Sequence, residues 1–369
     1  MSKSSSEPLG SSEPLGSSEP LGEPRLVARI VRRERLCYAE GASEPEERPA
    51  FARAASSLGW LGSELAIVQD DAAFVALRAE DGTVRAVPLP RGPGGRRLFE
   101  ERLGNKNDKY DFEACASLPD GRLLLVGSGS RRERELFAIL AIAGAGDAAP
   151  QASMTGAPEV DRAVAPSEHG EGSASRPPEI TVKLAPAPAL YAALGAALGG
   201  SQLNFEGATI ASGVLRLFDR GGHGRTNATV EVLLAEVLDH LEGGAATPSV
   251  LRVERFDLGS IAGVPLGFTE AALTTDGRTV FLAAAEDTLN PVDDGAVLGT
   301  RFGVLEGERI RWTDVMDETG AACAIKAEGL VAARAPSAPT GGPLRFWLAI
   351  DPDDPDTAAE LCELEIDGL

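Results

Sequence analysis

A short motif returns about every sixty residues along this chain, and that periodicity limits the folds open to it more than any other feature. The copies are Asp111-Phe112-Glu113-Ala114, Asn204-Phe205-Glu206-Gly207, Gly267-Phe268-Thr269-Glu270 and Lys326-Ala327-Glu328-Gly329, with a degenerate first copy at Ala50-Phe51-Ala52-Arg53. Each opens a short apolar strand, followed by a turn and a second, more apolar strand that ends in polar residues. Regular return of a multi-strand unit is the mark of radial β architecture.

Aligned on Arg53, Glu113, Glu206, Thr269 and Glu328, the copies are 60, 93, 63 and 59 residues apart. The long step contains the 36-residue stretch Ala143–Pro178, made of Ala, Gly, Pro, Ser and scattered charges; without it the step shrinks to 57. Such a composition buries too little apolar surface to offset chain entropy, so the stretch at about 143–178 reads as a disordered insertion. Four strands are expected in each complete unit, joined by turns such as Pro119-Asp120-Gly121 and Asp276-Gly277, whose residues tolerate positive φ. The last unit is one strand short. The stretch Arg25–Arg32 has no partner in its own neighbourhood. Pairing the two closes a ring and removes exposed sheet edges. The sequence therefore predicts an all-β, five-bladed β-propeller over residues 24–369, closed by the N-terminal strand on the last blade, behind a disordered tail at 1–23. That tail carries Ser-Ser-Glu-Pro-Leu-Gly three times, at residues 5–10, 11–16 and 17–22. It is a docking arm or a neutral tandem expansion.

The net charge is −21 and the pI near 4.6, which argues against nucleic acid or an anionic membrane as partner. The tail lacks the basic start and apolar segment of a signal peptide, and no apolar run approaches the ~20 residues needed to span a bilayer. No two of the four cysteines, Cys37, Cys115, Cys323 and Cys362, are spaced as Cys-x-x-Cys, and neither Cys nor His clusters as a zinc site requires. Free thiols of this kind fit a reducing, cytoplasmic setting.

In a propeller, matching positions on the innermost strands form a ring around one axis. The register places Arg53, Glu113, Glu206, Thr269 and Glu328 in that ring. A second set follows the second strands at the same rim: Asp70, Ser128, Arg131, Asp219, Arg220, Glu286, Asp287 and Asp351. Together they form a polar, acidic channel mouth. Oxygen-only clusters suit hard cations, so Glu113, Glu206 and Glu328 are candidate metal ligands and calcium the candidate ion. The same glutamates equally fit a structural role, stapling neighbouring blades through backbone N–H groups. His223, in the Gly-rich loop after Arg220, is the one histidine placed to act as a general base; as a solvated loop residue it needs no such role. The loop Arg91–Arg97 offers amides and guanidinium groups to an anion, or is a plain connection.

Phe205-Glu206-Gly207 and Ala327-Glu328-Gly329-Leu330 resemble the Glu-Gly motifs of phytase-like (esterase-like) propellers, and Gly127-Ser128-Gly129-Ser130-Arg131 is similar to strand ends of related uncharacterised bacterial propellers. The resemblance spans most of residues 50–369 as scattered short motifs. It implies a propeller that binds calcium and hydrolyses phosphate or other esters, although a dense Asp and Lys/Arg phosphate site is missing. Two functions are therefore expected: a non-catalytic binding scaffold whose mouth takes a small molecule or a protein partner, or a calcium-dependent ester or phosphoester hydrolase.

Overall fold

A computed structural model describes residues 25–144, 178–200, 202–221, 226–287, 295–307, 309–334 and 342–369. The tail repeats, nearly all of the 143–178 stretch with His169, and His223 lie outside the described residues.

The chain opens with β1 (Val27–Arg35). A four-stranded antiparallel meander follows, β2 (Ala55–Leu61), β3 (Glu64–Gln69), β4 (Phe74–Arg78) and β5 (Val84–Pro88). The second meander is β6 (Phe112–Ser117), β7 (Leu123–Gly127), β8 (Leu136–Ile142) and β9 (Ile180–Pro186). Helix α1 (Pro188–Ala197) leads to the third: β10 (Phe205–Ala211), β11 (Val214–Asp219), β12 (Asn227–Leu233), helix α2 (Leu234–Glu242), then β13 (Val250–Phe256). The fourth is β14 (Ser260–Ile261), β15 (Val264–Leu273), β16 (Thr279–Asp287), β17 (Ala296–Glu306) and β18 (Arg309–Met316). The last strands are β19 (Ala327–Ala332), β20 (Leu344–Ile350) and β21 (Glu360–Asp367).

Strand β1 supplies the partner that β21 lacks. It pairs antiparallel with β21 from Val27↔Asp367 to Arg35↔Glu360 and touches β18 in parallel at Ala28↔Val315. Charge fixes this match as well as apolar pattern: Arg29 stands opposite Glu365, Arg32 opposite Glu363 and Arg35 opposite Glu360. Oppositely charged cross-strand pairs favour one register over its neighbours. On the other face Ala28 and Ile30 are fully buried. Through β1 the fourth and last sheets join into one of nine strands.

The leading strands β2, β6, β10, β15 and β19 touch one another in closed cyclic order, β19 returning to β2. The arrangement is all-β and propeller-like. Between adjacent sheets lie apolar layers, such as Phe218, Phe268 and Phe281 packed edge to face at 5.2 Å. Helix α1 fills one such layer, with Leu190, Tyr191 and Leu194 buried. The Tyr191 hydroxyl donates to the carbonyl oxygens of Gly127 and Leu136, at 2.8 and 3.1 Å. Gly127 cannot carry a side chain, because a Cβ there would stand 2.3 Å from the Arg134 carbonyl oxygen. Among the described residues no helix is long and apolar enough to cross a membrane.

Candidate functional site

Each leading strand carries a β-bulge near its start, and the bulges define the true register of the repeat. The unpaired residues are Ser56, Glu113, Glu206, Thr269 and Glu328. The first member of the column is therefore Ser56, not Arg53. Phe51 stands outside β2 and makes only an isolated bridge with Cys37. With Ser56 in place the first step becomes 57 residues, equal to the second step without its insertion.

A bulge leaves one residue without ladder bonds and re-aims its side chain. Ser56 Oγ donates to the Phe112 carbonyl at 2.6 Å, and Thr269 Oγ1 to the Ala327 carbonyl at 2.7 Å. Each acceptor immediately precedes the bulged residue of the next sheet, so hydroxyls in this column stitch neighbouring sheets. The glutamates of the column instead meet cations. The residue that follows the second strand closes a matching bond: Asp70, Ser128, Arg220 and Asp351 donate their N–H to the carbonyls of Ala54, Asp111, Asn204 and Lys326, at 2.9–3.2 Å. Those four positions consequently share one rim with the bulges.

Three ionic clusters occupy that rim. Lys109 Nζ pairs with Asp70, with Asp111 at 2.6 Å and with Glu113 at 3.7 Å. Asp111 also accepts from Ser128 Oγ and holds Arg134 at 2.8 Å. Arg220 lies 2.8 Å from Glu286 and 3.7 Å from Glu206, whose Oε1 also accepts from Asn204 Nδ2 at 2.6 Å. Gly267 lets Arg220 lie flat here, since a Cβ would come 2.6 Å from Arg220 Cγ. Lys326 Nζ sits 3.3 Å from Glu328, 3.2 Å from Asp351 and 3.7 Å from Asp353. A fourth cluster is centred on Arg53, which is 2 % exposed and pairs with both Asp71 and Glu100 at 2.5 Å.

Several expectations change with this geometry. Arg131 is exposed; the guanidinium that reaches the mouth is Arg134. Asp287 is exposed, while its neighbour Glu286 turns inward to Arg220. Asp219 is 2 % exposed and accepts the Asn204 N–H at 2.8 Å, which serves the strand end. The expected metal triad does not form one cage, because Glu113, Glu206 and Glu328 each face a different internal cation. Among the described residues the carboxylates close enough to share an ion are Asp70, Asp111 and Glu113, all within 4.8 Å of one another. The Arg91–Arg97 loop offers no open anion cradle, since Arg91, Arg96 and Arg97 pair with Glu46 and Glu47.

One central residue escaped the sequence reading. Glu270, directly after the Thr269 bulge, is 0 % exposed. Its Oε2 accepts from Ser57 Oγ on β2, and Oε1 accepts the Ala271 N–H at 2.8 Å. Ser57 Oγ also lies 3.2 Å from Cys115 Sγ. Strands β15 and β2 are separated in the cycle by β19, so this contact crosses the middle of the ring. The equivalent residues elsewhere are Ala114, Gly207 and Gly329, small enough to leave room. A Cβ on Gly207 would stand 2.8 Å from the Ala271 nitrogen. The signal was present in the Glu270 that ends its motif copy, one place outside the aligned column.

Burial and mutual repulsion shape the titration of the mouth. Burial, with the charges of Asp70 and Asp111, pushes Glu113 well up. Burial lifts Glu206 to about 7 against the pull of Arg220, helped by Glu286. Glu328 is driven well up by burial, Asp351 and Glu206 despite Lys326. Burial and Asp70 bring Asp71 to about 7, and burial raises Glu270 well above the carboxylate range. Burial would raise Asp111 too, but Lys109 and Arg134 hold it at about 2.

Linkage turns these directions into a pH profile. A carboxyl raised in the fold binds a proton that the unfolded chain has released. Its contribution is complete below about pH 4 and is lost as pH climbs through the folded value, with a slope of up to about 1.4 kcal/mol per pH unit for each group. Asp71 and Glu206 place that loss between about 4 and 7, and Glu113, Glu270 and Glu328 extend it in the same direction. Asp111 acts oppositely: its contribution is present above about 4 and lost towards 2. Urea unfolding is therefore expected to show maximal stability near pH 4–5, falling towards pH 8, and Glu270→Gln is expected to flatten the fall. A profile level from pH 5 to 8 contradicts this assignment.

Comparison with known proteins adds family but no chemistry. No curated protein matches the chain. Solved structures that resemble it include an α-L-arabinanase of Penicillium chrysogenum complexed with arabinobiose, at 10 % identity and a TM-score of 0.37, covering 89 % of this chain and 83 % of that one. A virginiamycin B lyase of Staphylococcus aureus shares 9 % identity, with a TM-score of 0.35 and coverage of 92 % and 99 %. A GH93 α-L-arabinofuranosidase of Fusarium graminearum, also with arabinobiose, shares 9 %, with a TM-score of 0.36 and coverage of 90 % and 85 %. Nothing of their sites transfers to this chain at that level of likeness. A family model matches residues 52–157 and 172–366, and the chain belongs to that family of unknown function, DUF6929.

Proposed function

We propose that this protein is a five-bladed β-propeller acting as a cytoplasmic, non-catalytic binding scaffold. Its acidic mouth receives the positively charged group of a small ligand or of a protein partner. The cyclic contact of β2, β6, β10, β15 and β19, and the completion of the last sheet by β1, support the blade count. One observation carries the functional reading: among the described residues, buried and half-buried carboxylates at the mouth outnumber the cations that accompany them. Asp70, Asp71, Asp111, Glu113, Glu206, Glu286, Glu328 and Asp351 face Arg53, Lys109, Arg134, Arg220 and Lys326. Burial, reinforced by the neighbouring carboxylates, is why Glu113, Glu206 and Glu328 hold protons so tightly. An arriving cation takes the place of those protons and so gains affinity as pH rises.

The test is a thermal-shift series with calcium chloride, putrescine and an arginine-rich peptide at pH 5 and pH 8. A ligand that binds the native state alone raises Tm. At least one probe is expected to do so, more at pH 8 than at pH 5, and Glu206→Gln combined with Glu328→Gln is expected to abolish the shift. No shift with any probe at either pH ends the proposal.

The closeness of Asp70, Asp111 and Glu113 favours a second reading, a calcium-dependent ester or phosphoester hydrolase of phytase-like type. Three hard oxygen donors within reach of one ion are a fair start on a calcium shell. Asp70, Asp111 and Glu113 would hold the ion, which would supply polarisation of the scissile bond, and His223 is the candidate base. Calcium-dependent turnover of p-nitrophenyl phosphate or acetate distinguishes this reading from the scaffold.

A further inference from the structure

A cavity of about 290 Å³ opens on the β14–β18 sheet. Leu258, Leu266, Phe281 and Ile310 form its apolar body, and Arg301 and Trp312 stand at its edge. Gly303 makes room for the floor: a Cβ there would come 2.2 Å from Phe281 Cζ, so glycine lets that ring lie across the strand. Trp312 is 40 % exposed. The Arg301 guanidinium lies over its indole at 3.5 Å and is steadied by Asp314 at 3.1 Å. An exposed indole beside a cation and an apolar pit is the kind of surface that receives proline-containing extended peptides.

The topology supplies the occupant. Strand β1 runs parallel to β18 with Ala28 opposite Val315, so Arg25, three residues earlier, comes level with Trp312. A second contact agrees. Gly368 packs on the Arg25 carbonyl, where a Cβ would stand 2.2 Å away, and its own carbonyl accepts from Arg311 at 3.1 Å. The residues preceding Arg25 therefore start beside the strand that holds Trp312. The nearest Ser-Ser-Glu-Pro-Leu-Gly copy ends at residue 22, and its Leu21 is four residues from Arg25, about 13 Å of extended chain.

We infer that the Trp312 cavity is a docking site for a Glu-Pro-Leu unit of this chain's own amino-terminal repeats. The proline ring stacks on the free part of the Trp312 indole, the leucine enters the pit over Phe281, and the glutamate meets Arg301. Proline presets the extended backbone, so little entropy is lost on docking. Tethering makes the event intramolecular, at an effective concentration in the millimolar range, and any of the three copies can serve.

The experiment labels the full-length chain with 5-fluorotryptophan and follows it by fluorine NMR, with the Trp312 resonance assigned through Trp312→Phe. The variant replaces Leu9, Leu15 and Leu21 by serine and leaves the described fold untouched. The Trp312 signal is expected to move in the variant while those of Trp60 and Trp347 stay. A synthetic peptide of two repeats at millimolar concentration is expected to return it, with at least a fivefold loss of peptide affinity in Arg301→Gln. An unchanged Trp312 signal overturns the inference, whether or not the free peptide binds. So does a shift that depends on protein concentration together with a tail-dependent doubling of mass, since the occupant is then a second copy.

Discussion

Replacing Arg53 by methionine is expected to cost about 3–5 kcal/mol of stability at neutral pH, the usual penalty for stranding a buried charge. Arg53 is nearly inaccessible and neutralises two carboxylates, Asp71 through Nε and Nη2 and Glu100 through Nη1. Methionine keeps much of the volume and removes the charge. Asp71, already lifted to about 7 by burial and Asp70, then loses the guanidinium that restrains it and moves further up. Glu100 retains Arg102, which is more than half exposed and a weaker substitute. Because a carboxyl raised in the fold costs most where it is ionised when unfolded, the penalty is expected to shrink as pH falls below about 4. Adding Asp71→Asn to Arg53→Met is expected to recover part of the loss. Equilibrium urea unfolding measures both, and a single-variant loss under 1 kcal/mol shows that Arg53 does not hold the cluster.

The second large effect is expected at Lys109. Its ammonium sits among Asp70, Asp111 and Glu113, whose oxygens lie within 4.8 Å of one another. Burial disfavours the charge on Lys109, yet Asp111 and Asp70 keep it protonated far into the alkaline range. Lys109→Met leaves three crowded carboxylates without their main cation. About 3–5 kcal/mol is expected to be lost at pH 7. Asp111 is expected to rise from about 2 as that attraction disappears. The same substitution exposes an oxygen-only pocket to an outside cation. Millimolar calcium is expected to restore a substantial part of the lost stability in the variant, through preferential binding to the native state. Unfolding of Lys109→Met with and without calcium chloride reads both effects. Loss of stability without calcium recovery marks the pocket as fitted to an ammonium group alone.

Much of the architecture could be read directly from the residues. The sixty-residue return of Phe-Glu and its relatives marks the leading strands, and the Asp-Gly turns mark the hairpins. The arginines of β1 and the glutamates of β21 announce each other as partners, because apolar residues alternate with opposite charges on both. The error at the first copy has a physical cause. Phe51-Ala52-Arg53 imitates the motif locally, but the column is set by ladder pairing, and pairing starts at Ala55 with the bulge at Ser56. Local resemblance cannot count the residues that a loop consumes before the sheet begins.

Periodicity and charge pattern, being local along the chain, determined the strand order, the meanders and the complementary end strands. Which acid meets which base was decided only when the sheets curled into a ring. Lys109 and Arg134 sit at no repeated position, the places of Lys326 and Glu270 carry other residue types in the other copies, and each of the four also takes a partner from a distant strand or connection. Ser57 and Glu270 are 213 residues apart and meet across the centre. Electrostatic interaction and desolvation depend on distance and burial in space, and sequence spacing encodes neither.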